Sequence, residues 1–283
     1  MVLRPFTTFM FAIALVAGGW LLAAPASAAD KNNKKEGKDA KLPTAEQVAE
    51  IVIYAYGSRP GLTQIRRNGD EKGHLTRTTE DGRTEEITYE NRFVRGDKAE
   101  KDKVRLDQKL PTMEYALIYS GGRVWGVING TTFTPRQEAT ADFLAERQHG
   151  IDALLRYKEN GSTVTLVGRD TQKSIDMYVL DLTDKDKQRT RYYISAKHGR
   201  VLWLEYEEAA ADGGKPIKYK KMFHDYRVAQ GTLVPYRTVL FVDGKQVQET
   251  QVLTVTYGIK MEDTLFQNPE AATTATTTTT TPQ

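Results

Sequence analysis

Between residues 62 and 256, apolar side chains recur mainly at every second position, in short runs rich in β-branched and aromatic residues. Successive side chains of a strand point to opposite faces, so this spacing predicts β structure with one dry face. Strands are expected over residues 62–67, 74–79, 85–94, 112–119, 123–128 and 131–134. After an interruption they resume over 163–170, 176–183, 189–196, 200–207, 215–229, 233–242 and 246–256. Asp81-Gly82, Gly121-Gly122, Asn129-Gly130, Lys197-His198-Gly199-Arg200 and Val242-Asp243-Gly244-Lys245 separate these runs. Glycine, asparagine and aspartate tolerate the positive φ of tight hairpin turns, so these are the turns. Residues 97–103 read as a charged loop. Hairpins this dense imply an antiparallel meander, and ten or more strands do not lie flat without curling. A mainly β fold built on a curved sheet or open barrel follows.

Helical spacing occurs twice. Thr44 with Gln47 makes a capping box ahead of Val48, Ile51, Val52 and Ala55, and Gly57 and Pro60 stop the helix. Thr134 with Gln137 repeats the box around Pro135, ahead of Phe143, Leu144, Ile151, Leu154 and Leu155, with Gly150 as a kink or division. Two helices of this size cannot cover a sheet this broad, so its apolar side either packs on itself or encloses a cavity. Tyr115, Leu117, Tyr119, Trp125, Met177, Trp203, Phe223 and Phe241 are the strand candidates for the cavity lining, and Phe143, Leu144 and Ile151 those from the covering helix.

The two ends set the compartment and the limits of the fold. Arg4 precedes an apolar run over residues 9–24 that closes on Ala26-Ser27-Ala28, which is the layout of a secretory signal with cleavage after Ala28 or Ala29. Residues 9–22 fall short of the roughly 20 apolar residues that span a bilayer, so an uncleaved anchor is the weaker alternative. Residues 30–41 read as a flexible charged leader, 42–270 as a single domain, and 271–283 as a disordered threonine-rich tail. The expected location is therefore periplasmic, as a soluble protein.

Composition removes several chemistries. The chain has no cysteine, which excludes disulfides, thiol nucleophiles and cysteine zinc sites. Forty basic and 37 acidic residues leave a net charge of +3 without a basic stripe, so nucleic acid is not indicated. The four histidines, at 74, 149, 198 and 224, lack metal-ligand spacing. No G-x-S-x-G elbow or phosphate loop occurs, and the carboxylates lie among lysines near turns. No catalytic residue, metal or cofactor is expected.

Three stretches in the last third are more specific. They are Arg191-Tyr192-Tyr193-Ile194-Ser195-Ala196-Lys197-His198-Gly199-Arg200-Val201, Asp225-Tyr226-Arg227-Val228-Ala229-Gln230-Gly231-Thr232-Leu233-Val234-Pro235-Tyr236, and Asp263-Thr264-Leu265-Phe266-Gln267-Asn268-Pro269. In order and spacing they resemble the LolA/LolB-like carriers of the bacterial envelope, the outer-membrane-lipoprotein-sorting relatives in particular. Ser195 departs from the pattern, since relatives often carry aspartate there. The resemblance implies an unclosed β-barrel with a helical lid and an apolar interior that receives acyl chains. It implies a non-enzymatic periplasmic carrier or binder of lipid or lipidated protein, with outer-membrane lipoprotein sorting as one form of that role. The alternative on the same scaffold is an envelope interaction or stress-sensing protein that contacts a membrane protein.

Overall fold

The computed structural model describes residues 42–79, 81–210 and 213–268. The signal-like segment, the charged leader and the threonine tract lie outside these residues.

The chain begins with α1 (Ala45–Tyr56) and α2 (Arg59–Ile65), then runs through β1 (Asn68–Thr78), β2 (Thr84–Val94), β3 (Lys103–Lys109), β4 (Glu114–Ser120), β5 (Arg123–Ile128) and β6 (Thr131–Phe133). Two helices, α3 (Gln137–His149) and α4 (Ile151–Leu155), interrupt the strands. β7 (Thr163–Gln172), β8 (Ile175–Thr183), β9 (Arg189–Ser195), β10 (Val201–Glu208), β11 (Ile217–Ala229), β12 (Thr232–Val242) and β13 (Lys245–Tyr257) follow.

All thirteen strands form one antiparallel sheet in the order β6-β5-β4-β3-β2-β1-β13-β12-β11-β10-β9-β8-β7. Every neighbouring pair is a hairpin except β1 with β13, which joins the two meanders through a register that places Leu75 opposite Thr250. β6 and β7 are the margins and do not pair, so the curved sheet stays open along that side, and α3 with α4 is the connection between them.

The first capping box is present: the Gln47 N–H donates to Thr44 Oγ1 at 3.2 Å and the Thr44 N–H to Gln47 Oε1 at 2.8 Å. The second is not. Arg136, not Thr134, is the N-cap of α3 and gives no side-chain cap. Residues 62–67, expected as a strand, belong mainly to α2, with Pro60 in its first turn. Pro60 therefore starts a helix where it was expected only to stop one. β3 was not expected, because its apolar Val104 and Leu106 sit between charged neighbours. Gly150 divides the second helical region, as its place between His149 and Ile151 suggests.

Apolar packing is uneven across the sheet. α1 buries Val48, Ala49, Val52, Ile53 and Tyr56 against Leu180, Leu182, Tyr192, Ile194 and Leu204, and α4 adds Leu154 and Leu155. Around β1–β6 there are two smaller clusters, one of Leu75, Ile87 and Tyr89, the other of Leu117, Tyr119 and Phe143. The half-buried Leu106 touches both.

Candidate functional site on the helix-covered face

Register defines the inner face. Leu75 pairs with Ile87, Asn91 with Leu106, and Leu106 with Leu117, so these side chains share the side on which Phe143 lies. Val124 and Phe133 continue it to the β6 margin. In the other half the same side carries Leu180, Tyr192, Leu204 and Phe223. That half is filled by α1 and α4, with many side chains fully buried.

The β1–β6 half is covered differently. α3 buries only Phe143, Ala145 and His149, and unlike α1 it stands off the strands. Its polar tethers gather at its C-terminal end. Arg147 lies over the Tyr119 ring, 3.6 Å from the centroid, and donates to the Ala99 carbonyl. Lys221 pairs with Glu146. His149 shares a 2.6 Å hydrogen bond between Nδ1 and Thr190 Oγ1, and Tyr192 donates to the Gly150 carbonyl at 2.9 Å. Beyond this anchor the helix reaches toward Phe143 and Leu144, which meet the apolar face of β3–β5.

A charged clasp holds the base of the helices. Arg66 donates to Asp152 at 2.8 Å and to the Leu233 carbonyl at 3.1 Å, and Arg95 donates to the other Asp152 oxygen. Arg156 joins Asp102 at 2.8 Å and the Gly96 carbonyl at 2.9 Å. Burial alone would raise the Asp152 carboxyl, but Arg95, Arg66 and Arg156 hold it below the usual carboxylate range.

No protein-family model matches the sequence, and no curated protein matches it in sequence. Solved structures do match. A LolA superfamily protein from Nitrosomonas europaea aligns with a TM-score of 0.57 and 14% identity, over 81% of this chain and 100% of that one. The fold is LolA-like. A DUF1329 family protein from Desulfovibrio piger gives a TM-score of 0.58 at 11% identity, over 81% of this chain and 99% of the other. An outer membrane lipoprotein-sorting protein domain from Vibrio parahaemolyticus gives 0.54 at 10% identity, over 81% and 98%.

Within this LolA-like sheet the eleven candidate residues do not share one site. Tyr115, Leu117, Tyr119, Phe143 and Leu144 come together under α3. Phe223 and Ile151 lie on the same face of the sheet but in the filled core with α1 and α4. Trp125, Met177, Trp203 and Phe241 are corrected to the opposite face: they alternate with inward residues, and their partners Ile118, Ser195, Tyr193 and Lys220 also point outward. There Trp203 stacks on Tyr193 at 4.3 Å, and Trp125 lines a pocket of about 550 Å³ with Phe266. Phe241 and Met222 line a second outer pocket of about 720 Å³ with Arg191 and Glu205.

Sequence reasoning missed Leu75, Ile87, Tyr89, Val104, Leu106, Val124 and Phe133, which complete the face beneath α3. The alternation of Val104 and Leu106 was the available signal for β3. It also missed the inner polar groups. Glu71 accepts from the Tyr89 hydroxyl at 2.8 Å, and burial raises its carboxyl above the usual range. Glu208 on β10 is likewise raised by burial. Among the described residues no three histidine or acidic side chains are placed to hold a metal ion, and no helix is long and apolar enough to cross a membrane.

Proposed function

We propose that this protein is a non-enzymatic carrier or holder of lipid or lipidated protein, taking acyl chains between α3 and the inner face of β3–β5. The observation that supports it is the contrast between the two halves: α1 and α4 fill their side of the sheet, whereas α3 covers Tyr115, Leu117, Tyr119 and Leu106 chiefly through Phe143. The part of α3 before Ala145 has no polar tether among the described residues, so it can lift while Ala145 and the Gly150 anchor stay in the main core. The LolA-like scaffold accords with this use, and the signal-like N-terminus supports a location in the cell envelope.

The energetics suit transfer. At roughly 0.8 kcal/mol per buried CH₂, a chain of about 14 methylenes gains on the order of 11 kcal/mol relative to water. Relative to a bilayer the same burial is nearly neutral, so small changes in α3 packing tip pickup against delivery. Native mass spectrometry of the purified protein tests the reading: acyl-containing material should copurify, and Leu117→Asp should lose it. Protein that is reproducibly empty and leaves a fluorescent fatty-acyl probe unchanged removes the carrier role. Cross-linking to one envelope protein under those conditions would favour an interaction role on the same scaffold.

A further inference from the structure

A cavity of about 550 Å³ lies on the outer face of β4 and β5, on the side of the sheet away from α3. Ser120, Arg123 and Trp125 line it from the β4–β5 hairpin, and Phe266, Gln267 and Asn268 from the chain after β13. That later segment is pinned to the sheet by the short helical turn Asp263–Phe266. Lys103 pairs with Asp263 at 2.8 Å, Arg105 donates to the Leu265 carbonyl at 3.2 Å, and Phe266 is buried. The volume falls within the roughly 300–1,000 Å³ of small-molecule sites.

The Trp125 indole N–H is buried and has no acceptor among the described residues. Trp203, the other indole on this outer face, donates to Glu205 at 3.1 Å. A buried donor without an acceptor is unfavourable, and an oxygen brought by a ligand relieves it. Arg123 is independent of that donor and equally unmet: its guanidinium has neither an ion pair nor a hydrogen bond among the described residues. The neighbouring cations are matched, Lys103 by Asp263 at 2.8 Å and Arg105 by Asp107 at 2.9 Å. No carboxylate lines the cavity. One unmatched positive charge, one orphaned N–H and the rings of Trp125 and Phe266 therefore meet in one place. A carboxylate brings a single negative charge and two oxygens, in a plane that fits the guanidinium fork. A phosphate monoester brings a second negative charge that nothing in this cavity matches.

We propose that this outer cavity binds a carboxylate carried on an apolar group. Arg123 and the Trp125 N–H donate to the carboxylate oxygens, and the apolar group lies against Phe266. The carboxylate belongs either to a small organic acid or to the C-terminus of a peptide. The site is separate from the face under α3 and does not depend on what that face holds.

Nuclear magnetic resonance of the full chain reads the Trp125 indole N–H directly, with its signal assigned through Trp125→Phe. Titration with 3-phenylpropionate should move that signal downfield and saturate it. The acid should bind about tenfold or more tightly than 3-phenylpropionamide, which has the same shape without the charge. Arg123→Gln should bring the two within about twofold. Arg123 is exposed, so this variant tests the charge without disturbing the core, and its own indole signals show that it is folded. Trp125→Phe keeps an aromatic wall and should weaken the acid alone, as calorimetry measures. N-acetyl-Gly-Phe binding more tightly than 3-phenylpropionate, and losing that affinity as its C-terminal amide, identifies a peptide end; the reverse order identifies a small acid. Equal affinity for acid and amide, a preference for inorganic phosphate, an unmoved indole signal, or an acid preference unchanged in Arg123→Gln overturns the carboxylate site. So does the absence of binding by every probe, and none of these outcomes bears on acyl holding under α3.

Discussion

His149 shows how one buried side chain couples the anchor of α3 to pH. Stacked on Tyr206 and bonded to Thr190, its imidazole is pushed down by burial to about 4. In the unfolded chain the same group titrates near 6.5, so between those values only the unfolded state binds the extra proton. Stability therefore falls as pH drops from about 6.5 to about 4, by on the order of 3 kcal/mol from this residue. His149→Phe should keep the stack and flatten that slope, which urea unfolding at pH 7 and pH 4.5 measures directly. Glu71 and Glu208, raised in the fold, act in the opposite direction and remain as background in the variant. At this scale the sequence was only partly legible. Period-two spacing showed that Tyr115, Leu117 and Tyr119 share a face, but spacing carries no label for inside or outside. Aromatic bulk misled the assignment of Trp125, Trp203 and Phe241 because the outer face has its own aromatic packing. Bulges compound the difficulty: Val201 and Leu204 both enter the core although three residues apart, since the register shifts between Val201 and Trp203.

Elements were recovered wherever local chemistry and long-range packing agreed. Thr44 with Gln47 marked α1 correctly because both bonds of the box can form in front of an apolar stripe. Thr134 with Gln137 offered the same letters, but β6 extends to Phe133, whose ring lies over Gly126 on β5. That pairing keeps the chain extended and delays α3 by two residues. A Cβ at Gly126 would stand 2.2 Å from Phe133 Cζ. Gly126→Ala should therefore displace the ring, release β6 and cost roughly 1–3 kcal/mol by chemical denaturation. α2 escaped notice because its seven residues hold only one buried apolar side chain, Leu62. Its importance lies at its end, where Arg66 reaches Asp152, the Leu233 carbonyl and the face of Tyr257, 5.5 Å from the ring centroid. Arg66→Ala should lower stability by about 2–3 kcal/mol, since it removes a buried cation from partners drawn from α4 and β12. A shift in the urea midpoint with an unchanged slope would show that effect.

Across the whole molecule, the two meanders differ in how firmly they are held. The β7–β12 half rests on α1 and α4 with an unbroken core, whereas β3–β6 rests on two small clusters and a helix fixed at one end. Hydrogen exchange should accordingly proceed faster in β4–β6 than in β8–β10, and a bound acyl chain should slow the former selectively. Equal protection in both halves would contradict this division. Most of the meander was visible in the sequence, because hairpins are local and the turn residues of β1–β2, β4–β5, β5–β6, β9–β10 and β12–β13 announce them, whereas β3 and its two hairpins carry no such signal. The pairing of β1 with β13 was not, since nothing in either segment names a partner so distant along the chain.

That long-range pairing leaves β6 and β7 as unsealed lips, and the polypeptide leaving one lip enters the other through α3, Gly150 and α4. A guest bulky enough to spread the lips must tug on this connecting strap. In the proposed carrier role, the mouth and its cover are mechanically one part, so widening the entrance and raising the cover are a single motion.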